Sequence, residues 1–147
     1  MITTVTFVTK VLLSLHVLAA ILAVGPVTVA ASMFPAAARR DRSQLPLLHR
    51  ICRVYAAVGV AVPIFGFATA SSLGVLGDTW LLVSIALTAV AAAVLVFQVL
   101  PTQSKVLAAE GTVRVATRLG MYTGIFNLLW ATVTVLMIVR PGSTTGA

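Results

Sequence analysis

The side chains with the widest chemistry here are two histidines, one cysteine and three carboxylates, and their positions exclude more than they allow. The acids, Asp41, Asp78 and Glu110, all fall between long apolar runs rather than within them. A small proton-coupled exporter needs a carboxylate inside the membrane to trade protons for substrate, and this chain has none. A membrane thiol oxidoreductase needs a cysteine pair, and Cys52 is single. No glycine-rich phosphate loop and no nucleophile–base pair is found. His49 and Cys52, three residues apart, share a helical face. Arg50 and Arg53 surround them and no third ligand is evident, so no metal site is expected there.

His16 is the more informative histidine. It stands alone among the apolar residues of the first run, with Ala20 and Ala23 leaving room beside it. An ionisable ring on such a face points into the bundle. His16 and His49 differ in depth by roughly 20 Å or more, from the rise of about 1.5 Å per residue. One haem iron cannot bind both within a monomer. Asn127, the one amide deep in the last run, lies about 10 Å from His16 along the membrane normal, too far for a direct hydrogen bond. Thr69, Ser71 and Ser72 match the depth of His16 better. The candidate polar or ligand site is therefore His16 with Thr69, Ser71, Ser72 and, at a different depth, Asn127. The structural reading is a neutral ring bonded to helix two or to water in an outward-facing pocket. The functional reading is a ligand or substrate contact. No catalytic residue is assigned.

The elements that must position these groups follow from composition. Of the 147 residues, 60% are hydrophobic and 9% charged, too little polar surface to cover a soluble domain. Four apolar runs, 11–31, 55–76, 80–100 and 119–139, contain no Asp, Glu, Lys or Arg. Each matches the length of about 20 residues that crosses about 30 Å of hydrocarbon, twice a barrel strand and without period-two alternation. The expected fold is all-α: a single four-transmembrane-helix antiparallel bundle over 1–140 with a disordered tail at 141–147. The first helix is expected to run from Thr3 to Ala37.

Charge orients the bundle. Arg39, Arg40, Arg42, Arg50 and Arg53 flank the first connection, and Lys105, Arg114 and Arg118 lie on the third. Only Lys10 and Arg140 lie on the other side. Both termini are then outside and the basic loops cytoplasmic. A cleaved secretory signal fits less well, because the positive cluster follows the first apolar run rather than preceding it. The net charge of +7 reports topology, not nucleic acid. The expected partners are the lipid bilayer and either another membrane protein or further copies of the chain.

Local signals complete the outline. Ser43 is expected to cap helix two, with Pro46 in its first turn. Gly74, Gly77 and Asp78 form a tight turn, and Pro101 breaks the inner end of helix three. Thr102 to Glu110 can add one or two turns before Gly111. Small residues repeat at four-three spacing: Gly120, Gly124, Asn127, Ala131 and Thr134 on helix four; Cys52, Ala56, Gly59, Pro63, Gly66 and Ala70 on helix two. In lipid, close packing drives association, so these stripes, with His16, Ala20, Ala23 and Ala30 on helix one, are expected to be the seams of the bundle. The packing glycines are Gly59, Gly66, Gly120 and Gly124, and Ala86, Ala89 and Ala93 are expected to supply the fourth wall.

The run KVLLSLHVLAAILAVG at 10–25, Trp80 opening helix three and Pro101 closing it resemble short bacterial integral membrane proteins of unknown function. Those proteins are related to copper-resistance-D-like ones and, more distantly, to the HemJ-like protoporphyrinogen oxidase group. The likeness spans about residues 8–139. It implies a multi-pass protein of the bacterial cytoplasmic membrane with a His near the outer end of helix one. The HemJ-like group also uses a Lys in a later helix, whereas this chain has no Lys between residues 11 and 104. The leading functional expectation is a non-enzymatic accessory or small-solute or metal-handling protein. The alternative is a haem-linked or redox protein using His16, which could act across an oligomer interface.

Topology is tested by impermeant thiol labelling in intact cells. Arg40→Cys and Lys105→Cys are expected to be shielded and Gly77→Cys to react; labelling at position 105 from outside overturns the orientation.

Overall fold

The computed structural model describes residues 2–108 and 113–142, and among these it is helical apart from short turns, with no strand. Its helices are α1 (Ile2–Arg40), α2 (Leu45–Val58), α3 (Ala61–Leu73), α4 (Thr79–Val94), α5 (Leu100–Leu107) and α6 (Val113–Val139). They form four passes: α1, the α2–α3 pair, the α4–α5 pair and α6. Each pass is long and apolar enough to cross a membrane. Glu110, Gly111 and residues 143–147, including most of the expected tail, lie outside the described residues.

The first pass is longer than hydrocarbon requires. Its 39 residues span about 58 Å at about 1.5 Å each, and it reaches Arg39 and Arg40, whose charges favour a helix C-terminus. α1 runs along both α2 and α3 and also meets α6, while α4 packs along α6. α5 touches α2 and α6 and so closes the bundle at the basic end. The main core gathers there, around Phe34, Leu45, Cys52, Val99, Leu119 and Phe126. A smaller cluster of Ala70, Trp80 and Leu81, with Val75, Ile85 and Met137 against it, joins the passes at the opposite end.

Proline explains the interruptions. Pro63 has no N–H to give to the Gly59 carbonyl, and the Val62 N–H takes that carbonyl instead at 3.0 Å. The chain breaks at Gly59 and Val60, which divides the second pass into α2 and α3. Pro101 was expected to end helix three, but the pass continues through it. A single π turn, Leu95–Val99, precedes it, with the Leu100 N–H reaching back to the Leu95 carbonyl, and Pro101 then sits in the first turn of α5. There its missing donor costs nothing.

The turns match expectation in place but not always in chemistry. Gly74 ends α3 in the left-handed conformation (φ 70°), with its N–H on Ala70 and Ser71, a conformation glycine adopts without steric cost. Asp78 begins α4 in extended conformation but gives its carboxylate to the Trp80 indole N–H at 3.0 Å. The Arg140 guanidinium lies 5.6 Å from the centre of the Trp80 ring, within cation–π reach. Ser43 is not the cap of α2. Asp41 caps the short turn Arg42–Gln44 instead, accepting the Ser43 hydroxyl at 2.6 Å, the Ser43 N–H at 3.0 Å and the Gln44 amide at 3.0 Å.

Two expected seams face outward. A Cβ on Gly120 or Gly124 would meet nothing within 4 Å, and Ala131 and Thr134 are exposed. The inner face of α6 is one position back: Ala116, Leu119, Thr123, Phe126 and Val133. Likewise Ala86, Ala89 and Ala93 are exposed, and Trp80, Ser84, Ala91, Leu95 and Val99 form the wall. The centre takes small and large side chains alike, and the small residues at these places are left over. Ala23 and Ala30 of α1, with Cys52 and Ala70 of the second pass, are buried as expected, whereas Pro63 is exposed.

Asp41 gives the fold a pH dependence. Hydrogen bonds from the Ser43 hydroxyl, the Gln44 amide and the Ser43 N–H hold its carboxyl below the usual 3.8. A carboxyl with a lowered native pKa contributes stability that is complete above 3.8 and is lost as pH falls through the native value. Thermal melts in detergent are expected to fall on acidification below about pH 4, and to fall less in Asp41→Ala; an equal fall removes Asp41 as a cause.

Candidate functional site

His16 points at the second pass. The ring is half-buried, and its Nδ1 lies 2.9 Å from the Val62 carbonyl oxygen of α3. A carbonyl only accepts, so Nδ1 carries the proton in this bond, and Nε2 of a neutral ring keeps the lone pair. The ring rests on Gly66, where an added Cβ would lie 2.9 Å from the His16 Cε1. A glycine is what lets the imidazole approach the α3 backbone. Seven residues earlier on α1, the Thr9 hydroxyl pairs with that of Ser72, so the two contacts define one antiparallel register between α1 and α3.

The other expected partners of His16 are engaged elsewhere. Thr69 is buried and donates its hydroxyl to the Phe65 carbonyl of its own helix at 2.7 Å. Ser72 is taken by Thr9, and Ser71 is exposed. A backbone carbonyl, invisible to residue-type reasoning, takes the place assigned to these hydroxyls. Asn127 is far away. Its Nδ2 donates to the Ser32 hydroxyl at 3.1 Å, and Ser32 lies about 24 Å along α1 from His16. His16 and Asn127 therefore belong to different places.

Around Asn127 the inward side of α6 holds unspent polarity. Thr123 Oγ1, Asn127 Oδ1 and Trp130 Nε1 are buried without a hydrogen-bond partner among the described residues. They follow one another at steps of four and three residues, on one side of the helix. Buried polar groups left in this way cost roughly 1–3 kcal/mol each. Asn127, the middle member of this row, also borders the open Gly120–Gly124 stripe.

A third polar group was missed from sequence. His49 Nδ1 lies 2.9 Å from Gln103 Oε1, and the Gln103 amide nitrogen donates to Cys52 Sγ at 3.4 Å. Gln103 is wholly buried, and Ser104 Oγ lies 3.4 Å from His49 Nε2. The shared face of His49 and Cys52 was legible; the amide that bridges them was not, although a glutamine two residues past a proline that does not end its helix is the available signal. The Arg42 guanidinium donates to the Val106 carbonyl at 2.7 Å, fixing α5 beside this group. Among the described residues no three of His, Cys, Asp and Glu come together to hold a metal ion.

The His16–Gly66 contact is testable by a double-mutant cycle. Gly66→Ala is expected to displace the ring and cost about 1–2 kcal/mol in detergent melts. In a His16→Ala background the same change is expected to cost less than half as much; equal costs in both backgrounds place the strain elsewhere. No family model, curated protein or solved structure matches the chain.

Proposed function

We propose that this multi-pass membrane protein is a non-enzymatic accessory subunit, which associates laterally with a partner helix through the open face of α6. The observation that carries the reading is the room over Gly120 and Gly124, where a Cβ would touch nothing, next to Asn127, a half-buried amide on the same stripe. Lipid chains are as apolar as leucine, so helices in a membrane join where small residues admit a second backbone and where polar side chains find partners. Gly120, Gly124, Ala131 and Thr134 supply the first condition and Asn127 the second. The distribution of its basic residues supports an orientation with both termini outside, and we take the membrane to be a bacterial cytoplasmic one. The likeness of residues 10–25, Trp80 and Pro101 to short copper-resistance-D-like membrane proteins supports the same placement.

A second reading rests on His16. A ring held through Nδ1 by a carbonyl presents Nε2 as a ligand, the arrangement that second-shell bonds give metal-binding histidines. A haem-linked or redox role then needs a further ligand from outside this chain's described residues. An absorption spectrum of the protein purified in detergent distinguishes the two: a Soret band that is lost in His16→Ala supports haem, and its absence in protein from haem-replete cells removes it.

Accessory association predicts that fold and assembly separate. The parent is expected to form a larger cross-linked species in native membranes; Gly124→Leu is expected to abolish it while leaving the melting temperature within about 1 °C of the parent, since the side chain enters open space. Ile125→Leu is expected to leave both unchanged. An unaltered cross-linked species in Gly124→Leu, or loss of its fold, overturns the reading.

A further inference from the structure

Independently of the α6 face, we infer that the basic end of the bundle carries a site for one anionic phospholipid, in the groove between α2 and α5. The groove has a volume of about 620 Å³. Pro46, His49, Arg50, Arg53 and Leu107 line its rim toward the basic connection, and Val54 and Ala57 form its deeper wall.

The arrangement has the polarity of a phospholipid. Arg50, Arg53, Val54 and Ala57 occupy one face of α2, at successive steps of three, one and three residues. α2 runs from the basic connection into the bundle, so Ala57 lies roughly 6 Å deeper than Arg53. Two guanidiniums stand at the height of headgroups, and an apolar wall begins one turn below, where acyl chains start. Arg50 and Arg53 are exposed, and neither has a hydrogen-bond or ion-pair partner among the described residues. Asp41, the described acid at this end, is already engaged by Ser43 and Gln44. The floor is fixed: Gln103 ties His49 to Cys52, and Arg42 holds the Val106 carbonyl next to Leu107. Guanidiniums suit phosphate oxygens, which they meet in a planar fork. A lipid with a net negative headgroup is favoured over a zwitterionic one, whose own ammonium would face the two arginines.

A free phosphate would use the rim alone, whereas a phospholipid uses the rim and the wall. The experiment separates them. The full chain is reconstituted in vesicles of equal phosphatidylglycerol and phosphatidylcholine, extracted in mild detergent, and its retained lipid measured by mass spectrometry. The parent is expected to retain phosphatidylglycerol in excess over phosphatidylcholine. Arg50→Gln with Arg53→Gln is expected to lower that excess by roughly thirtyfold, the scale of two surface arginines near an anionic membrane. Arg114→Gln with Arg118→Gln is expected to keep it. Ala57→Trp, which fills the wall and leaves both charges, is expected to lower it as well, and inorganic phosphate at 10-fold excess over lipid is not expected to displace it. An unchanged excess in the Arg50/Arg53 variant overturns the site. So does an equal loss in the Arg114/Arg118 variant, which would mean diffuse attraction. Retention unaffected by Ala57→Trp, or displacement by phosphate, would mean an ion rather than a lipid and overturns it too.

Discussion

Within hydrocarbon each backbone N–H and C=O must find its partner inside the protein, and this chain places prolines inside three of its four passes. Most of its departures from straight helices are the ways it meets that constraint. At Pro63 the Gly59 carbonyl is taken by the Val62 N–H, and the second pass bends. At Pro101 a π turn comes first, and the proline starts a new helical segment. The Val62 carbonyl, one residue before Pro63, accepts the His16 ring across the α1–α3 contact. Backbone supply and side-chain demand meet at the same bend.

The two ends of the bundle are held by different forces. At the basic end, cations and amides do the joining: Arg42 on a carbonyl, Gln103 between His49 and Cys52, Asp41 over its own turn. At the other end, the Trp80 indole is the centre, bonded to Asp78 and faced by Arg140. An indole with one apolar body and one N–H suits the membrane interface, where it can satisfy both. Between these ends lies the His16–Gly66 contact and, on α6, a row of polar atoms without partners. The middle of the molecule is therefore where hydrogen-bonding capacity remains unspent.

The passes, their order and the inward aim of His16 toward helix two were legible in the sequence, because length, charge and the cost of a ring in lipid report them directly. Which side of each helix faces inward was less legible. In water, polarity marks the outside; in lipid, Leu18, Ile21 and Phe97 lie exposed while Phe34 and Phe126 are buried, and residue type does not separate them. Smallness served as the substitute signal. It held for Gly66, which receives the His16 ring, and missed at Gly120, Gly124 and Ala86, which face out. The polar links failed to show for a second reason. The partner of His16 is a backbone carbonyl, and that of His49 is a glutamine 54 residues away, so neither has a local pattern.

The π turn at Leu95–Val99 also sets an angular phase. A π turn holds one residue more than an α turn, and one residue corresponds to about 100° around a helix. Everything beyond it, including Gln103 and Val106, is rotated by that angle relative to α4. Gln103 faces His49 and Cys52 because of this offset. Winding the same residues as a plain α turn would leave composition and hydropathy untouched, yet would swing the buried amide off its partners and carry Lys105 toward the place of Val106. The geometry of the basic end thus depends partly on how the residues between Ala91 and Pro101 wind, and not only on their kinds.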